Sequence, residues 1–172
     1  MIRSLLVSGL ALLCLAATPA AAQVTISQSP STSPVIGTVM RGSAATTFSV
    51  STAGVVTRVS GDAIRVSSSS VTVPTITLNC ASNNCKGDEF RVTVTASGAS
   101  GDSRITRFRF GTLSAGQLRS ARPADGASLT FDMRMNHRQN PASFTLGMDV
   151  LLEGAANGGT HNFTFTVTAT QL

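Results

Sequence analysis

The last dozen residues admit one kind of secondary structure. From His161 the odd positions read His161, Phe163, Phe165, Val167 and Ala169, while the even ones read Asn162, Thr164, Thr166, Thr168 and Thr170. A strict period of two is a strand with one apolar face and one threonine face. β-Branched and aromatic residues dominate it, no proline interrupts it, and Gly158-Gly159 marks a turn just upstream. Burying Phe163, Phe165 and Val167 contributes about 1.5 to 3 kcal/mol each, against a typical total stability of about 5 to 15 kcal/mol. The strand must therefore lie in a sheet whose apolar face is covered.

The same alternation recurs upstream. Phe90, Val92, Val94 and Ala96 alternate with Arg91, Thr93 and Thr95; Leu129, Phe131, Met133 and Met135 alternate with Thr130, Asp132 and Arg134; Phe144, Leu146, Met148, Val150 and Leu152 alternate with Thr145, Gly147 and Asp149. Three antiparallel strands are expected to close the chain. Earlier strands are shorter: 34–42 and 45–51, with a hairpin turn at Thr52-Ala53-Gly54, then 55–59 and 63–66 around Ser60-Gly61-Asp62. In 71–78 the apolar set changes phase at Pro74, which indicates an edge or a bulge. Residues 104–110 form a less regular strand, and 111–126 read as turn-rich. Short strands spaced by about ten residues, with no helical period, specify an all-β antiparallel sandwich. Its expected core is Phe90, Val92, Val94, Phe131, Met133, Phe144, Leu146, Met148, Val150, Phe163, Phe165 and Val167.

Residues 1–22 read as a secretory signal: Arg3 supplies the positive start, 5–17 the apolar centre and Ala20-Ala21-Ala22 the small-residue cleavage site. The exported chain then begins at Gln23, and its destination is the periplasm, the cell surface or a filament on it. No later stretch approaches the roughly 20 apolar residues of a transmembrane helix. Residues 23–33 form an N-terminal extension and linker. Val24, Ile26 and Gln28 alternate there before a stretch with Pro30 and Pro34, making a candidate donor strand for a neighbour or a first strand of the same domain. Residues 34–172 form one β-sandwich domain, long enough for a sizeable core.

The leader removes Cys14, leaving Cys80 and Cys85. In an exported protein a close pair reads as a disulfide. A zinc site would need two further ligands, and His137 and His161 are solitary.

Chemistry is hard to place elsewhere. The histidines sit in no catalytic motif, and there is no Gly-x-Ser-x-Gly elbow, no HExxH and no phosphate loop. Asp88 and Glu89, adjacent on a strand, point to opposite faces and cannot readily share a substrate. The reading is of a protein that is not an enzyme and needs no cofactor. The formal charge is +5, and Arg104, Arg107 and Arg109 come closest to a basic patch, but the chain has no Tyr or Trp on which bases would stack. Nucleic acid is not expected as a partner.

Residues 143–150, Ser-Phe-Thr-Leu-Gly-Met-Asp-Val, and 153–168, which run from Glu153-Gly154 through Gly158-Gly159-Thr160-His161 into the threonine-rich strand, carry a resemblance. They are similar to the closing hairpin of a family of exported bacterial domains related to Mat/Ecp-type fimbrial major subunits. Ile36-Gly37-Thr38-Val39 and Thr52-Ala53-Gly54 resemble the family more loosely. His161 stands where the family has tyrosine, and Ala169-Thr170-Gln171-Leu172 lacks its terminal aromatic. The resemblance implies an immunoglobulin-like, pilin-like sandwich held by a chaperone and polymerised by donor-strand exchange, with a groove around Phe144, Leu146, Phe163, Phe165 and Val167. The alternative is a monomeric secreted or periplasmic binding module of the adhesin kind.

Overall fold

The computed structural model describes residues 24–80, 85–98, 102–136 and 141–172. The leader, Gln23, the interior of the Cys80 to Cys85 loop and His137 lie outside the described residues. In chain order the strands are β1 (Val24–Ser29), β2 (Val35–Met40), β3 (Thr46–Val50), β4 (Val56–Ser60), β5 (Ile64–Arg65), β6 (Thr75–Cys80), β7 (Glu89–Ala96), β8 (Ser103–Ser114), β9 (Gly116–Leu118), β10 (Ser128–Met135), β11 (Ala142–Leu152), β12 (Gly159–Asn162) and β13 (Phe165–Gln171). The described residues contain no helix, and every strand pairing is antiparallel.

The largest sheet is built on β11. β8 runs along one side of it, pairing from Ser143 to Leu152. The other side carries two strands end to end: β6 against 142–145 and β3 against 148–152. Gly147 sits where they meet, and there is no room for a side chain, because a Cβ would come within 2.8 Å of the Val50 carbonyl and 3.0 Å of the Thr52 amide. Just upstream, the Leu146 amide donates to the Pro74 carbonyl at 3.0 Å. Pro74, lacking an N–H, stands immediately before β6 rather than inside it. β1 then extends this sheet from β6, and β4 extends it from β3.

A second sheet has the order β13-β7-β10-β9, and a third, smaller one β12-β2-β5. The inner faces of the first two meet through phenylalanines. Phe110 of β8 and Phe144 of β11 are stacked at 5.5 Å, and Phe131 of β10 comes edge-on to them at 4.7 and 5.2 Å. Such pairs add to area burial when their rings are offset or perpendicular. Ten of the expected core residues are buried, among them Phe90, Val92, Val94, Met133, Leu146, Met148, Val150 and Phe163.

Several expectations are corrected. Phe165 and Val167 are half-buried, packed against the core rather than inside it, because β13 is an edge strand paired only with β7. The segment after Gly158 is two strands: β12 pairs with β2 and β13 with β7, and the chain crosses between the sheets at the buried Phe163. The odd residues stay inward through the crossing, so the alternation hides the switch. The three closing strands do not pair with one another, since β10 and β13 flank β7 while β11 belongs to the large sheet. β3 and β4 do form a hairpin around Thr52-Ala53-Gly54. β4 and β5, on either side of the Ser60-Gly61-Asp62 turn, join different sheets. Residues 111–118, expected as turn, continue β8 and form β9.

Candidate functional site

β1 lies along the edge of the large sheet, with Val24 opposite Cys80, Ile26 opposite Leu78 and Gln28 opposite Ile76. Its alternation places Val24, Ile26 and Gln28 on the half-buried face and Thr25, Ser27 and Ser29 in solvent. On that outer face the Asn79 side-chain amide donates to Ser27 Oγ at 3.2 Å. The registers of β1, β6 and β11 align Gln28, Ile76 and Phe144 in one row, and Ile26, Leu78 and Ala142 in the next. The large sheet thus gathers Val24, Ile26, Gln28, Phe144 and Leu146, while Phe165 and Val167 stand on the edge strand of the facing sheet.

The link from β1 to β2 is short and exposed only at Ser31 and Thr32. Gln28 Nε2 donates to the Pro30 and Thr32 carbonyls, each at 3.1 Å, folding the linker back against the strand it follows. The chain is anchored at buried Pro34, whose carbonyl accepts from the Phe163 amide at 3.1 Å. A hollow of about 90 Å³ lined by Gln28, Ser31, Ser33, Pro34, Phe163 and Phe165 remains between linker and body. At the other end of β1, Cys80 closes β6 with its Cα 5.9 Å from that of buried Cys85, within the span of a disulfide.

The arginines of β8 are neutralised. Arg109 makes a two-pronged pair with Asp149 at 2.6 and 2.8 Å and also reaches Asp125 at 3.4 Å; Arg107 approaches Asp149 at 3.7 Å; Arg104 pairs with Glu153. Hydrogen bonding to Asp149 raises the Arg109 pKa above its usual value. These residues brace β8 against β11 and form no basic patch. On β7 and β10, Arg91 grips Asp132 with two bonds of 2.8 Å, which holds the Asp132 carboxyl below its usual pKa.

The carboxylate of the Ser60-Gly61-Asp62 turn has a specific task. Asp62 accepts from Ser43 Oγ at 2.6 Å and from the Ser43 and Ala44 amides at 2.9 Å each, clamping the β2–β3 connection to the β4–β5 turn. These bonds lower its pKa from 3.8 to about 2. Its partners lie 18 and 19 residues away, so no local motif announces the clamp.

No helix among the described residues is long and apolar enough to cross a membrane. No protein-family model matches the chain, and no curated protein or solved structure matches it either.

Proposed function

We propose that this chain is an exported structural subunit of a surface filament, assembled by donor-strand complementation, with β1 as the exchanged strand. The observation that carries the reading is the attachment of β1. It pairs with β6 alone, presents only Val24, Ile26 and Gln28 to the body, and is joined to it by a short linker, exposed at Ser31 and Thr32, that ends at buried Pro34. A strand held this way is replaceable by the same strand from a neighbouring copy in the same register, and main-chain bonds then give affinity while alternate side chains give fit. The finer fold assignment, an immunoglobulin-like sandwich of the pilin kind, belongs to the same proposal and is supported by two sheets meeting across Phe110, Phe131 and Phe144.

A second reading is favoured by one observation. β1 is seated on the β6 of its own chain, which suits a complete monomer acting as an adhesin-like binding module. Negative-stain microscopy and size-exclusion of the native exported material separate the two. The filament reading expects polymers, and it expects Ile26→Asp to give exported subunits without filaments, because a carboxylate in an apolar groove is costly. A monodisperse monomer under all conditions would overturn it in favour of the binding module.

A further inference from the structure

Six large apolar side chains stand exposed on the described surface, and five of them, Met40, Val55, Val59, Ile64 and Val66, belong to β2, β4, β5 and their flanking residues. Isolated exposed apolar groups need no explanation, but a concentration at one end of a domain does. The β2–β5 register sets Met40 beside Ile64 and Val39 beside Arg65. Ile64 and Arg65 join Arg58, Phe48 and Val56 around a cleft of about 510 Å³ between β4 and β5.

Charge at this end is one-sided. Arg91, Arg104, Arg107, Arg109 and Arg119 each have a carboxylate partner, whereas five arginines have none among the described residues, and three of these, Arg41, Arg58 and Arg65, belong to β2, β4, β5 or their flanks. Arg58 and Arg65 are oriented instead by backbone carbonyls, Arg58 by Ala63 at 3.1 Å and Arg65 by Ile36 and by Ser69 at 2.6 Å. The one acid here, Asp62, is occupied by Ser43 and Ala44. A second copy offers no complement: Glu89, Asp125, Asp132, Asp149 and Glu153 are already paired with arginine. Only Asp88 and Asp102 remain, at the starts of different strands.

We infer that the β2–β4–β5 end docks onto an anionic lipid surface. Exposed apolar side chains beside arginines on the same strands, with Ile64, Arg58 and Arg65 around one cleft, match the boundary between headgroups and acyl chains, where burial and attraction to anionic lipid act together. The free backbone edge of β4 keeps the contact shallow, since unpaired amides and carbonyls are not tolerated in hydrocarbon. β1 contributes no residue to this surface, although Arg65 also lines a hollow with Pro30, Thr32 and Ser33 of the linker that follows β1, and the inference does not depend on strand exchange.

The test uses the chain as exported, co-sedimented with vesicles of equal parts phosphatidylcholine and phosphatidylglycerol, and with vesicles of phosphatidylcholine alone. Binding to the first only is expected, with loss near 1 M salt, where screening shortens electrostatic reach to about 3 Å. Combining Arg41→Gln with Arg58→Gln weakens binding roughly thirty-fold, from about 1 kcal/mol per arginine. Met40→Ser with Ile64→Ser also weakens it, while Arg119→Gln with Arg134→Gln, elsewhere on the surface, leaves it within about threefold. Arg41→Gln and Met40→Ser, both on exposed side chains, carry the test alone if the double variants melt early. Equal binding to both vesicles, equal loss with the distant arginines, or apolar variants without effect would each overturn the inference. Binding to polyaspartate as tight as to the anionic vesicles would overturn it too, in favour of an acidic polypeptide.

Discussion

An exposed carboxylate that holds two connections together leaves a signature in acid. Asp62 keeps its charge down to a pKa of about 2, against 3.8 without its three donors. A depressed folded-state pKa contributes stability that is present above the unfolded value and lost as pH falls through the folded one. The melting temperatures of the native chain and of Asp62→Asn should therefore differ most near pH 6 and converge between about pH 4 and pH 2. A gap that persists unchanged at pH 2 would mean that the clamp does not depend on ionisation. Gly147 gives a steric counterpart. Its alternation with Thr145 and Asp149 reads as an ordinary outward position, yet the meeting of β3 and β6 leaves it facing backbone. Gly147→Ala is expected to cost about 1 to 3 kcal/mol in a urea titration, toward the upper end because a carbonyl and an amide, not a flexible side chain, must move. Both residues were visible in the sequence as a turn acid and a strand glycine. Their roles were not, since each depends on partners brought from distant chain.

At the scale of the strand, legibility followed regularity. β7, β10 and β11 were readable because their inward residues recur every second position without interruption. β8 was read only in part, as 104–110, because its inward residues Ile105, Phe108, Phe110 and Leu113 are spaced by three, two and three. The pairing with β11 shows why: the register slips between Asp149 and Val150 and again between Phe144 and Leu146, so each spacing of three holds one extra residue of a bulge. Position in the sheet then sets the energetic weight of residues that look alike in sequence. Phe144 is fully buried in the central strand against Phe110 and Phe131, whereas Phe165 is half-buried on an edge strand with Phe108 at 5.9 Å. Phe144→Ala should lose about 3 to 5 kcal/mol and Phe165→Ala about 1 to 2 kcal/mol, measured as unfolding free energies in urea. Equal losses would show that β13 is as deeply held as β11.

At the scale of the molecule, the class of fold was legible and the assignment of strands to sheets was not. Period-two alternation says which side of a strand is dry, but nothing about which strand lies beside it, and the chain passes from β12 to β13 without breaking that alternation. For β1 the same ambiguity matters to function, since six residues with two aliphatic side chains suit the chain's own β6 and a neighbour's equally well. Removing β1 exposes the outer edge of β6 and the flank of the row that runs from Ile76 to Phe144, and unpaired edges of this kind favour association. A chain beginning at Ser33 should therefore melt below the intact one. A synthetic peptide of 23–34 added to it should raise that melting temperature in a concentration-dependent way, because a ligand that binds only the folded state stabilises it by mass action. The peptide carrying Ile26→Asp should do nothing. Stabilisation by the native peptide and not by the variant would make β1 a transferable strand. A shortened chain that melts like the intact one and ignores the peptide would make β1 an ornament of a finished monomer, and strand exchange would lose its structural basis.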